Sequence, residues 1–336
     1  TMVKYVIKRL LLGVLILFCV SFIIYMLLRM MPGDYVTRTF TANPNSELTE
    51  ERIAQLMEIY GLSDTPVVGY FKWLFGSAET GSRGAILFDF GTSFLYSDEV
   101  TSVIADHMWI SFALTLFSLI LYFPLAVFLG IRAAVKQYGA FDYATTVLTM
   151  IGISFPTFFF SAIVVRIFAF GLGWFDTSLG LQSSGLINPT WWELFIDQAW
   201  HLVLPIFVVV VLSIGSVMRY TRTNMLEVLN ADYIRTARAK GLSENAVVYK
   251  HAFKNTMIPM VTVLAGILPG LFGGSMILED FFGIPGIGKI AYDAMNAGDI
   301  PFVMGYNVFI AFLTVISMLL TDIMYVVVDP RVKITK

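Results

Sequence analysis

Six long apolar runs, at 10–28, 109–131, 145–170, 202–218, 257–278 and 302–328, constrain this 336-residue chain more than any other feature. A helix needs about 20 apolar residues to cross about 30 Å of hydrocarbon. The runs therefore predict an all-α membrane protein with six transmembrane helices. The fourth run is short and the third contains Arg166, which makes those two the weakest spans by this criterion. Only 14% of the residues are charged and 57% are apolar, well outside the range of soluble domains.

The first run follows Lys4, Lys8 and Arg9, as the core of a signal peptide would. It is too long for such a core, and "YMLLRMMPGD" offers no small-x-small cleavage site. It reads as a retained span, and Thr1 ahead of Met2 as a remnant of cloning.

Basic residues orient the spans, because cytoplasmic loops carry the excess of Lys and Arg. Six spans put both termini on one side. That side holds Lys4, Lys8, Arg9, Arg132, Lys136, Arg219, Arg222, five residues between 235 and 254, and Arg331, Lys333 and Lys336, so 15 of the 22 basic residues. Arg29, Arg38, Arg52, Lys72, Arg83 and Lys289 fall on the other side, with 18 of the 24 acids. Both termini are thus expected in the cytoplasm. The chain divides into a tail and first span (1–31), a long extracytoplasmic loop (32–108), a five-span core (109–328) enclosing a cytoplasmic loop (219–256), and a tail (329–336).

Within the long outer loop, "LTEERIAQLMEIYGL" carries Ile53, Leu56, Met57 and Tyr60 on one helical face, with Thr49 as N-cap. It reads as an amphipathic helix lying on the outer membrane face or on a partner. Residues 79–86, "ETGSRGAI", read as a flexible insertion. The outer loop 171–201 is rich in Trp and Gly, and a last outer loop spans 279–301.

Pro124, Pro156, Pro205 and Pro269 lie in four of the spans, each removing a backbone hydrogen bond and inviting a kink. Pro269 sits among Gly266, Gly270, Gly273 and Gly274, where close helix packing and a bending or pathway-lining role are both open. Arg166 and Asp322 are costly inside spans. Either could line a hydrophilic pathway; Arg166 could equally snorkel, or pair with a neighbouring subunit.

No catalytic constellation emerges. "GIPGIGKI" at 283–290 matches the first seven positions of a phosphate-binding loop, but the eighth is Ile290 where a magnesium-holding Ser or Thr is required. His107, His201 and His251 are scattered, and Cys19, the only cysteine, excludes an internal disulfide or a multi-cysteine metal site. No metal or other cofactor is expected in this chain, and no nucleic-acid partner.

One stretch differs from its surroundings. "RTARAKGLSENAVVYKHAFKNTMIP", 235–259, is basic and helix-forming between two apolar runs. "DYIRTARAK" is a helix former ending at Gly241, a C-terminal cap, and Ser243 offers an N-cap for a second short helix. Two short helices with an elbow make a lever projecting into the cytoplasm. Ala237, Ala239 and Gly241 leave a shallow surface on it suited to a groove in a partner; an inert connector is the alternative.

This stretch resembles the coupling loop of permease subunits in binding-protein-dependent ABC importers. Ala237, Ala239, Lys240, Gly241 and Leu242, then His251, Ala252, Asn255, Ile258 and Pro259, are similar to the oligopeptide/dipeptide branch. Arg235-Thr236 replaces the Glu-Ala start of the general pattern. "YVIKRLLLGVLILFCVSFIIYMLLRMMPGD", "IYGLSDTPVVGYFKWL", "DFGTS", "FGIPGIGKIAYDAMNAGDIP" and "VVVDPRVK" extend the resemblance over nearly the whole chain. The stretch 76–88, "GSAETGSRGAILF", departs from it.

The resemblance implies a type I ABC importer permease fold in a bacterial or archaeal cell membrane. It also implies a second homologous permease, two cytoplasmic ATPase subunits that bind ATP and Mg, and an extracytoplasmic substrate-binding protein. Arg235, Ala237, Ala239, Lys240, Gly241 and Leu242 would form the ATPase-coupling loop, and Gly241→Asp is expected to uncouple transport. Arg166, Asp322 and Pro269 are candidates for the translocation pathway. Peptide is the expected cargo, with nickel, haem-like compounds or glutathione as alternatives within the class. An ATP-independent carrier and a membrane receptor or anchoring subunit are the rivals outside it.

Overall fold

The computed structural model describes residues 2–41, 50–78, 81–177, 179–183 and 185–328. Thr49 and the tail 329–336 lie outside the described residues. The chain begins with α1 (Met2–Met30), followed by two short helices, α2 (Glu50–Ile59) and α3 (Pro66–Phe75). A long α4 (Val100–Val135) leads to α5 (Ala140–Ser154) and α6 (Thr157–Val165), which a π-helical turn extends to Gly171. Then come α7 (Trp191–Leu229), α8 (Asp232–Ala239) and α9 (Glu244–Ala246), and a π-helical stretch joins α9 to α10 (Phe253–Gly266). The last elements are α11 (Leu268–Gly273), α12 (Met276–Phe282), α13 (Ile287–Ala297) and α14 (Ile300–Val328).

Among the described residues, five stretches are long and apolar enough to cross a membrane: Ile7–Met30, Val100–Val135, Trp191–Leu229, Glu244–Gly273 and Ile300–Met324. The third expected span is a broken one. α5 and the helix Thr157–Gly171 meet at 103°, so they make a sixth span only if the bent pair is counted as one. Phe155 is extended there, with φ −79° and ψ 129°, because a residue preceding proline is pushed out of the α region by Pro156. Pro124 and Pro205, by contrast, sit inside continuous helices.

The expected fourth span, 202–218, is only the apolar centre of α7. This helix has 39 residues, a length of about 58 Å at 1.5 Å per residue, nearly twice the hydrocarbon thickness. A capping box of Thr190 and Glu193 starts it, so Trp191, Trp192 and Trp200 belong to its first turns and not to a loop. Its far end carries Arg219 and Arg222, which the apolar run alone places in a loop. The last loop, 279–301, is likewise mostly helical.

Four apolar clusters hold the elements together. One lies at the end of the bundle that carries the basic loops, where α4, α7, α8 and α10 meet around Met218, Met225, Ile234 and Met260. Two others pack α4 against α13 and α14, and against α6, α7 and α12. The fourth joins α1, α2, α3 and the start of α14 around Tyr25, Tyr70 and Met304. Ile53, Leu56, Met57 and Tyr60 of α2 pack onto this fourth cluster. The apolar face of α2 thus packs in part on the chain itself, and each of the four side chains stays partly exposed. Residues 81–88 also differ from expectation: they fold back as a hydrogen-bonded turn, with Ser77 N–H donating to Ser82 O (3.1 Å) and Leu87 N–H to Gly84 O (2.9 Å).

Candidate functional site

The basic stretch forms the elbow its sequence describes. Asp232 sits in the first turn of α8 and Arg238 in the last, each with the sign the helix dipole favours. Gly241 follows with φ +77°, the left-handed conformation that costs glycine least. Its N–H donates to Arg238 O (2.9 Å) and the Leu242 N–H to Ala237 O (3.4 Å), which is the Schellman closure of a helix. Ser243 Oγ then accepts from the Ala246 N–H at 3.4 Å and starts α9. Across the elbow the Arg238 guanidinium forks onto Glu244, with N···O distances of 2.6 and 3.1 Å.

One face of this elbow is anchored and the other is free. Ile234, Val247, Val248 and Ala252 are buried against α4, α7 and α10. Arg235, Ala239, Lys240, Gly241 and Leu242 are exposed, flanked by exposed Tyr233 and Tyr249. Ala237 departs from expectation: it is buried in the same cluster and contributes packing, not docking surface. Buried side chains thus fasten one side of the elbow to α4, α7 and α10.

A second anchor lies close to this end of the bundle. Asp142, buried at the start of α5, accepts both prongs of Arg222 from α7 at 2.7 and 2.8 Å, and the Tyr138 N–H at 2.9 Å. In the sequence Arg222 counts only toward the charge bias, and Asp142 does not stand out. Nothing in their spacing pairs them.

The three pathway candidates are placed apart in kind. Asp322 pairs with Arg9 of α1, Nε to Oδ2 at 3.1 Å, which accounts for its charge within α14 and ties the first and last spans together. Arg166 is exposed in the π-helical turn and has no partner among the described residues. Pro269 begins α11, beside Gly266 and Gly270, which are both exposed.

The loop that imitates a phosphate-binding motif is already filled. The buried Glu279 carboxylate accepts the N–H groups of Ser275 (2.9 Å) and Lys289 (3.0 Å) and the Ser111 hydroxyl (2.8 Å). A Cβ on Gly286 or Gly288 would fall within 2.9 Å of that carboxylate, so the glycines make room for an internal anion. Lys289 turns away to Asp293 and Asp280, at 2.9 and 3.2 Å, and these two carboxylates hold its amine more basic than usual. Near it, buried Asp299 accepts from Ser93 Oγ (2.5 Å) and the N–H groups of Leu95 and Phe302, and caps α14. Burial pushes its carboxyl above the usual value, against these hydrogen bonds. At the same end of the bundle a cavity of about 400 Å³ opens between Tyr25, Tyr60, Lys72, Trp73, Phe90 and Phe94.

Comparison with known proteins adds independent information. Residues 126–334 match the family model described as binding-protein-dependent transport system inner membrane component, and residues 2–115 match the model of its N-terminal region. The oligopeptide transport system permease protein AppB of Bacillus subtilis is 35% identical over 99% of this chain and 100% of its own length. A putative peptide permease of Brucella suis is 34% identical over 99% of this chain and 100% of its own. The dipeptide transport system permease protein DppB of Bacillus subtilis is 32% identical over 100% of this chain and 99% of its own.

Proposed function

This chain belongs to the family of binding-protein-dependent transport system inner membrane components, and from that membership we propose that it is a permease subunit of an ATP-driven peptide importer. It forms half of the translocation pathway, the other half coming from a second homologous permease. Two cytoplasmic ATPase subunits, which bind ATP and Mg, engage the α8–α9 elbow. An extracytoplasmic binding protein delivers cargo to the opposite end, and both termini are cytoplasmic. The names of relatives that match over their full lengths support peptide as the cargo.

The observation that carries the coupling role is the two-faced elbow: Ile234 and Val247 locked in the core, Lys240 and Leu242 presented outward across the Gly241 cap. Coupling requires that the docked face interact differently with two states of the ATPase pair. A rigidly anchored lever converts that difference into movement of α7 and α10. Purification of the tagged chain from its native membrane, followed by mass spectrometry of what accompanies it, tests the reading. Two ATPases, a second permease and a peptide-binding protein are expected; a chain without an ATPase would contradict it.

A further inference from the structure

The elements between α1 and α4 contain an apolar surface that the importer reading does not use. α3, "PVVGYFKWLF", is apolar apart from Lys72, a pattern that belongs to helices with little contact with water. Gly69 and Tyr70 are buried toward α1. Tyr70 packs edge-on against Phe18, Phe22 and Tyr25, with ring centroids 6.0, 5.1 and 5.6 Å away, and its hydroxyl meets Ser21 Oγ at 2.9 Å. All four partners lie within the membrane span Ile7–Met30. Gly69 is where the two helices touch, since a Cβ there would sit 2.5 Å from the Tyr25 hydroxyl.

The opposite side of α3 presents Val67, Val68, Phe71 and Phe75. Against α3 packs the turn at 85–87, which adds Ile86, Leu87 and the following Phe88. These seven side chains are between 42% and 68% exposed. The only charge on the helix, Lys72, is held by Asp64 at 2.8 Å, and its long stem allows the amine to reach the interface.

We propose that α3 and the 86–88 turn are immersed in the bilayer leaflet at the end of the bundle away from Arg9 and Asp322, with lipid acyl chains as their partner. Three observations choose lipid over water or protein. The contact with Tyr25 and Phe22 fixes the depth: these residues lie five and eight positions before the end of the span at Met30, or about 7 to 12 Å along the axis at 1.5 Å per residue. The shallower part of that range is the depth at which interfacial helices bury their apolar faces, about 5–10 Å. The span that α3 packs on also leaves apolar side chains of its own exposed, among them Leu15, Phe18 and Ile23. Finally, with ten residues α3 is far too short to span, so it is a half-immersed wedge and not an additional crossing. Ile86, Leu87 and Phe88, within the stretch that departs from the oligopeptide/dipeptide pattern, would then be a lipid-facing addition.

The test uses the full chain, with whatever subunits remain bound, in lipid nanodiscs. Cys19 is replaced by Ser and single cysteines are placed at Phe71, Phe75 or Leu87 and spin-labelled. Ile23 of α1 serves as the lipid reference and Ile59 of α2 as the aqueous one. Collisions with membrane-dissolved oxygen should exceed those with a water-soluble nickel chelate at all three positions, as at Ile23 and in reverse of Ile59. Access to nickel at these positions would overturn the proposal, since the surface would then face water. Shielding from both reagents would also overturn it, since another polypeptide would then cover the surface.

Discussion

Asp142 and Arg222, 80 residues apart in the chain, meet as a two-pronged ion pair that fastens the start of α5 to the C-terminal part of α7. Asp142 is nearly buried while Arg222 keeps a quarter of its side chain in solvent. Full burial of such a pair would make loss of one partner cost about 3–5 kcal/mol; partial exposure of Arg222 lowers that to about 2 kcal/mol. Asp142→Ala and Arg222→Ala should each lower the thermal midpoint of the solubilised protein. The double variant should lose less than the sum, with a coupling of about 1–2 kcal/mol. Strict additivity would mean that the pair does not act as a unit.

Gly241 separates strain from clash. Its φ of +77° disfavours any side chain, yet a Cβ there would meet nothing within 4 Å. Substitution should therefore act through the backbone, at about 1 kcal/mol for Ala. Asn, which visits the left-handed region more readily, should cost less, and Val more. Peptide uptake should fall in the order Gly, Asn, Ala, Val while the complex still assembles. Gly241→Asp, which adds an acid beside Arg238 and Lys240, should uncouple ATP hydrolysis from uptake. Equal uptake by all variants would remove the elbow from the coupling path.

Glu279 tests the filled loop. Glu279→Ala leaves the Ser111 hydroxyl and the Ser275 and Lys289 N–H groups without their acceptor. At about 1–3 kcal/mol for each buried unpaired group, a loss of about 3 kcal/mol or more is expected. Glu279→Gln keeps one acceptor oxygen and should lose about half as much. Thermal unfolding of the two variants in detergent checks the ranking; a Gln variant as unstable as Ala would contradict it.

How much of this was legible in the sequence depended on the range of the interaction. The elbow was readable because capping is local: Gly241 and Ser243 act on residues three or four positions away. The apolar runs located the spans, but hydropathy measures lipid contact and not helix length, so the polar ends of α7 were missed. Pro156 announced a kink; a bend of 103° depends on what packs on either side. Arg9 with Asp322, Ser111 with Glu279 and Ser93 with Asp299 are 313, 168 and 206 residues apart, and no spacing rule joins them. Ala237 was assigned to the surface because a small residue reads alike on either face of a helix.

Asp299 gives a pH signature with a definite sign. Burial raises its carboxyl above 3.8, so its favourable contribution is fully present below that pH and fades as pH rises through the raised value. Asp299→Asn does not titrate. The stability difference, wild type minus variant, should therefore shrink as pH is raised from 3.8 toward neutrality. A difference that grows over the same interval, followed by thermal unfolding, would contradict the raised value.

In the proposed coupling role an ATPase drives this permease at the Gly241 elbow, where Leu242 is an exposed apolar side chain next to the cap. The most direct measurement places Cys at Leu242 in a chain with Cys19 replaced by Ser, and crosslinks the membrane-extracted complex with and without ATP. The account predicts an adduct between this chain and an ATPase subunit, with a yield that changes when ATP is added. A complex that retains its ATPase but gives no adduct at Leu242 would contradict it.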